Sequence, residues 1–172
     1  MLKKKKLFSR PRKLWQLARI KNENQLTNEY GMKNKTEIWR VAEMLRNWRE
    51  LAKQIVSLPA ERREKESKIL LSKLQKYDIV KEGADVDDVL TLNLRDLLEK
   101  RLQTVVYKKG MALTAKQARQ FIVHNKVTVN GEKVSSPSYL VKAMDEIKFV
   151  QGFAPKLVQQ KPEPRNTRED SK

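Results

Sequence analysis

The chain contains no cysteine and a single histidine, His124. A disulfide framework is thereby excluded, as are thiolate zinc sites and multi-histidine metal centres. Aromatic residues make up only 6% of the chain, so any core must be thin and aliphatic. No run of about 18 apolar residues occurs, and no transmembrane helix is expected. The basic N-terminus, MLKKKKLFSRPRKLW, leads into no apolar stretch, which argues against a secretory signal. No glycine-rich phosphate loop, nucleophile constellation or internal repeat is visible. The expectation is a soluble cytosolic protein that is not an enzyme and is not a homo-oligomer, with no cofactor, no metal and no membrane partner.

What the sequence has in excess is positive charge. Its 172 residues include 38 Lys plus Arg against 21 Asp plus Glu, a formal net charge of +17. Such a charge opposes compaction through self-repulsion, and a polyanion relieves it. Most of the excess lies in the first 76 residues.

Taken in order, residues 1–14 form a basic arm carrying Lys3, Lys4, Lys5, Lys6, Arg10, Arg12 and Lys13. Pro11 rules out a continuous helix there. Like-charge blocks are usually disordered when free. The arm is expected to order only on phosphates, the alternative being a solvated tail.

Residues 15–92 read as a helical N-terminal domain. A first helix spans 15–30, with Gly31 as its left-handed stop. A second runs from a cap at Asn34 or Thr36 to about Ser57. With Asn34 as cap, Glu37 takes the third helical position of a capping box. Ile38, Val41, Ala42, Leu45, Trp48 and Leu51 or Ala52 make its apolar stripe. Trp39 lies off the stripe and is expected on a neighbouring helix. A third helix follows Pro59 to about Tyr77, with Ile69, Leu70, Leu71 and Leu74 inward. Residues 77–92 turn acidic (Asp78, Glu82, Asp85, Asp87, Asp88) and read as a domain junction. The favoured account of these carboxylates is a turn with helix-start aspartates, since their spacing does not match a calcium loop.

Residues 93–150 carry the functional signal. One helix is predicted over 93–109, capped by Asn93 with Asp96 three residues on. Its face is Leu94, Leu97, Leu98, Leu102 and Val105. Arg101 falls inside that stripe, where an unpaired guanidinium is costly, so it must reach out along its stem or meet an acceptor. Thr114 caps a second helix to about His124. Ala115, Ala118, Phe121 and Ile122 face inward, while Lys116, Gln120 and His124 face outward and Arg119 sits on the flank. Asn125 suits a left-handed helix exit. Val127 and Val129 alternate with Lys126 and Thr128, and Asn130–Gly131 is a strong hairpin signal. Val134 continues the return strand and Pro137 demotes it to an edge. Tyr139, Leu140 and Val141 resume, and Ile147, Phe149 and Val150 give a last strand. The fold class is α+β, with two helices packed on a small bent antiparallel sheet after the helical domain. Residues 151–172 form a flexible tail, which Phe153, Leu157 and Val158 could tie back.

A helix and hairpin of this kind present Lys, Arg, Gln and Asn in a fixed array. The cations neutralise phosphates and release counterions. The amides set register on sugar and phosphate oxygens. Phe121 and Tyr139 are the only nearby aromatics and both look partly buried, so structured RNA is favoured over single strands.

Residues 92–141 resemble the S-four RNA-binding domain, or αL motif. The likeness rests on NLRDLLEKRL from Asn93, on Gln117-Ala118-Arg119-Gln120, His124, Val127 and Val129-Asn130-Gly131, and on Pro137-Ser138-Tyr139. The stretches EYGMKNKTEIWR and LEKRLQTVVYKKG resemble the archaeal and eukaryotic form of small-subunit ribosomal protein four, over roughly residues 15–150. That resemblance implies a structural component of the small ribosomal subunit. It would bind the 5′ domain of small-subunit rRNA at a multi-helix junction early in assembly. Its place would be near the side where mRNA enters, beside the fifth small-subunit protein. It also implies RNA-facing positions at Arg95, Lys100, Arg101, Lys116, Arg119, Gln120, His124, Lys126, Asn130 and Lys133. The family often has Gly where Asn125 stands and Arg where Lys100 stands. An assembly-only paralogue bound to pre-rRNA is the alternative. Related heads also occur in RNA-modifying enzymes, but residues 1–92 supply no catalytic domain.

Overall fold

A computed structural model describes residues 8–153 and 155. Lys3, Lys4, Lys5, Lys6, Leu157 and Val158, and with them most of the expected tail, lie outside the described residues. The order is α1 (Leu17–Glu29), α2 (Lys35–Val56), α3 (Ala60–Lys76), α4 (Val86–Thr91), α5 (Leu94–Glu99), α6 (Leu102–Lys108), α7 (Ala115–Val123), β1 (Val127–Val129), β2 (Glu132–Lys133) and β3 (Ile147–Phe149). Helices followed by a three-stranded antiparallel sheet of order β2-β1-β3 make the chain α+β.

Helix α2 is the spine of the helical part. Its buried residues Leu45, Trp48, Ala52 and Ile55 pack with Leu70 and Leu74 of α3, Val89 of α4 and Leu97 of α5. Ala42 and Ile69, expected inward, are exposed, because the helices cover a narrower stripe than the sequence allows, and of the alternatives Leu51 and Ala52 it is Ala52 that is buried. A second cluster joins Tyr30, Met32 and Ile38 to Leu98, with Trp39 against it. A third fills the head with Leu102, Val106, Ala118, Ile122, Val127, Val129 and Ile147. Within the acidic stretch, Asp85 and Asp88 form the capping box of α4. The Asp88 carboxylate accepts from the Asp85 N–H at 3.0 Å and opens α4, as Asp96 does for Asn93 at 2.7 Å. Both supply acceptors to orphan N–H groups at a helix start.

The single helix expected over 93–109 is broken. Arg101 is extended (φ −73°, ψ 141°) and separates α5 from α6. It forms an isolated antiparallel bridge with Leu140. The Leu102 N–H donates to the Tyr139 carbonyl at 2.7 Å, and the Val141 N–H to that of Lys100 at 3.0 Å. The Pro137–Val141 segment thus supplies the partners that a continuous helix would have found internally.

The arm is already laid down from Phe8 onward. The Phe8 ring packs on Trp39 at 5.9 Å, and the Ser9 N–H and hydroxyl both donate to Glu43 of α2. These contacts dock the described end of the arm on α2. At the other end Phe153 packs on Phe121 and Phe149 at 5.4 and 5.5 Å, closing the head from below.

Candidate nucleic-acid interface

Helix α7 and the sheet build the candidate interface. The Thr114 hydroxyl accepts from the Gln117 N–H at 3.1 Å and starts α7. Ala118 and Ile122 are fully buried, which leaves Lys116, Gln120 and His124 on the exposed side. The helix exits through Asn125 at φ 55°, a conformation asparagine tolerates better than other side chains with a Cβ. Strand β1 then buries Val127 and Val129 and turns Thr128 outward.

The hairpin is the expected tight turn, with φ 53° at Asn130 and 86° at Gly131. Thr128 faces Lys133 on β2 and Lys148 on β3. Thr128, Lys133 and Lys148 therefore share the outer face of the sheet, while the Lys126 ammonium lies over the Phe153 ring at 5.3 Å. Lys148 was not singled out from the sequence. Its signal was the alternation Ile147-Lys148-Phe149, which becomes informative only once β3 is paired to β1.

Asn130 is held from behind. Its amide donates to Asp145 at 2.9 Å and its carbonyl oxygen accepts from the Glu146 N–H at 2.9 Å. Burial works against the Asp145 charge, yet the Lys142 N–H, the Asn130 amide and the Tyr139 hydroxyl hold its carboxyl below the usual range. The side chain of Asn130 thus fixes the hairpin, and the turn backbone is what its tip exposes.

Arg101 and Arg119 have a different setting. Arg101 is 3% exposed and donates to Glu37 at 2.6 Å, with Met32 Sδ at 3.4 Å. Arg119 donates to the other oxygen of Glu37 at 2.8 Å. Glu37 was expected to cap α2; instead it clamps two arginines from the head. Burial opposes its ionisation, but the hydrogen bonds from Arg119 and Arg101 hold its carboxyl below the usual range. Beside it, the Gln103 amide donates to the carbonyls of Tyr30, Gly31 and Ala115 at 2.9–3.0 Å. Neither Glu37 nor Gln103 carried a local signal for this contact, since their partners are distant in sequence.

Two further cations are engaged at the surface. Lys100 reaches Asp78 at 2.5 Å, and Arg95 lies 3.5 Å from Glu29, both side chains exposed. Arg10, Arg12 and Lys13 are exposed. Among the described residues no cluster of three or more His, Asp or Glu could hold a metal ion. Among them, too, no helix is long and apolar enough to cross a membrane.

Residues 100–147 match the S4 domain, the unit bounded here by the Arg101 break and β3. The chain is 48% identical to small ribosomal subunit protein uS4 of Ignicoccus hospitalis over 153 residues, 89% of this chain and 91% of that protein. It is 48% identical to the uS4 of Methanococcus aeolicus, over 82% of this chain and 80% of the relative, and 43% identical to that of Nanoarchaeum equitans over 87% and 84%. The chain belongs to the uS4 family.

The relatives are archaeal, in line with the archaeal type expected from residues 29–40 and 98–110. Of the positions carried over from the family resemblance, Arg95, Lys116, Gln120, His124, Lys126, Asn130 and Lys133 are exposed. The head places Arg119 at its flank on Glu37 and Arg101 inside.

Proposed function

We propose that this chain is a non-catalytic structural protein of the small ribosomal subunit that binds small-subunit rRNA through the head and the basic arm. The observation that carries the reading is the set of polar and cationic side chains that the head leaves exposed around its buried cluster. They are Lys116 and Gln120 on α7, His124 and Lys126 just after it, and Lys133 and Lys148 on the sheet. Fixed cations over a rigid base suit the phosphate shape of folded RNA. Following the family, the target is the 5′ domain of the rRNA at a multi-helix junction, early in assembly. The neighbour is the fifth small-subunit protein, near the side where mRNA enters. The place of action is the ribosome in the cytoplasm.

Crosslinking to total cellular RNA, with sequencing of the attached fragments, tests this. Fragments concentrated in the 5′ domain of small-subunit rRNA support the reading, and fragments spread over unrelated RNAs contradict it. Stoichiometric co-sedimentation with mature small subunits separates a resident protein from an assembly-only paralogue.

A further inference from the structure

We infer that Trp15 is a stacking platform for an unpaired base of the bound RNA; this rests on the rRNA-binding reading above. Trp15 is 88% exposed, and Leu14 and Leu17 beside it are 61% and 72% exposed. An indole carries about 150–250 Å² of surface that is normally hidden. Leaving it in water is a cost that a binding partner removes.

The turn that carries this side chain is held by a partly buried network. The Arg19 guanidinium donates to the carbonyls of Lys13 and Leu14 at 3.0 and 2.9 Å, pinning the turn directly before Trp15. Arg19 is itself bound to Glu23 at 2.6 Å. Glu23 is buried and also accepts from Trp39 Nε1 at 3.0 Å, with the Lys35 ammonium 3.7 Å away. Burial disfavours the Glu23 charge, but Trp39 and Arg19 hold its carboxyl below the usual range. A carboxylate, two cations and an indole thus converge to fix a turn whose tip is apolar and solvent-facing.

The surrounding charge names the occupant. No Asp or Glu occurs before Glu23 in the sequence, and Arg10, Arg12 and Lys13, which shortly precede Trp15 in the chain, are all exposed. A flat aromatic among cations matches the base-plus-phosphate pattern of a nucleic acid strand. A base inside a duplex offers no free face, so the partner is an unpaired or extruded nucleotide. Three exposed apolar side chains could also meet a protein or a lipid surface. The run of basic residues without an acid up to Glu23, together with the rRNA-binding reading, favours the base.

Acrylamide quenching and binding to a 5′-domain rRNA fragment test this on the full chain. Trp48 is buried and Trp39 half-buried, so accessible emission reports on Trp15. On RNA binding, the Trp15 emission should fall and become shielded from acrylamide. Trp15→Ala should weaken binding roughly 5- to 150-fold, with Trp15→Phe restoring most of it. Melting temperature and the slope of affinity against salt should stay unchanged, because neither packing nor charge is lost. Wild-type affinity in Trp15→Ala, or an indole equally quenched in the RNA complex, overturns the inference. So does shielding that arises only in assembled subunits, which would make Trp15 a protein contact, or only on anionic lipid vesicles. If the wild-type chain binds the fragment with steep salt dependence while Trp15 is silent, the stack alone falls. If the wild-type chain does not bind the fragment, the rRNA reading falls with it.

Discussion

Glu37 ties the helical part to the head through two arginines that lie 64 and 82 residues away along the chain. Removing it strands a buried guanidinium, and breaking such a pair from one side costs about 3–5 kcal/mol. Glu37→Ala should therefore lower the urea midpoint strongly, with little change in slope. The pH dependence follows from the depressed Glu37 carboxyl. A carboxylate with a lowered folded-state pKa adds stability that is present above its ordinary value of 4.5. That stability is lost as pH falls through the lower folded-state value. The stability difference between wild type and Glu37→Gln should thus shrink as pH falls below about 4.5. A difference that is constant with pH would show that the Glu37 charge is not what holds the arginines. Arg119 has the same consequence from the other side. The sequence places it among phosphate contacts, but its substitution also unclamps Glu37, so any RNA effect mixes with a stability effect. Lys116 is the cleaner probe. Lys116→Ala should weaken RNA binding without changing the melting temperature, whereas Ala118→Arg, in the fully buried seam of α7, should unfold the head. Equal melting losses in both would mean that the two faces of α7 are misassigned.

At the scale of elements, what was legible is what is encoded locally. The Thr114 cap, the Asn125 exit, the Val127/Val129 alternation and the Asn130–Gly131 turn each rest on neighbouring residues, and each is found. The break at Arg101 was not legible. The apolar period runs through it without interruption, and the carbonyls that replace the helical bonds come from Pro137–Val141. Gly31 shows the same division. Its role as a helix stop is local, but its packing role is not. A Cβ built there would meet the Ala115 Cβ at 2.9 Å and the Lys116 N at 3.0 Å, at φ +59°. Gly31→Ala must therefore bear both left-handed strain and a clash between the α1–α2 turn and the start of α7. The two together should cost roughly 2–4 kcal/mol, read as a fall in thermal midpoint. A loss as small as that of an open-loop glycine such as Gly83, where a Cβ meets nothing within 4 Å, would show that the turn does not dock.

At the scale of the whole molecule, a chain of +17 stays compact by pairing selected cations internally and leaving the rest outside. Arg101, Arg119 and Arg19 are spent on Glu37 and Glu23, while Arg10, Arg12, Lys13, Lys116, Lys126, Lys133 and Lys148 remain exposed. Composition pointed to a polyanion but not to which cations are exposed, because for Arg101 and Arg119 a partner far away in sequence decides that; Lys148, though exposed, also pairs with Glu146 at 2.6 Å. The exposed set is the central claim, and the salt dependence of binding to a 5′-domain small-subunit rRNA fragment tests it most directly. With ~6–10 phosphates neutralised, affinity should fall about 10³- to 10⁵-fold between about 50 and 200 mM salt. A response that is nearly flat over that range would contradict it.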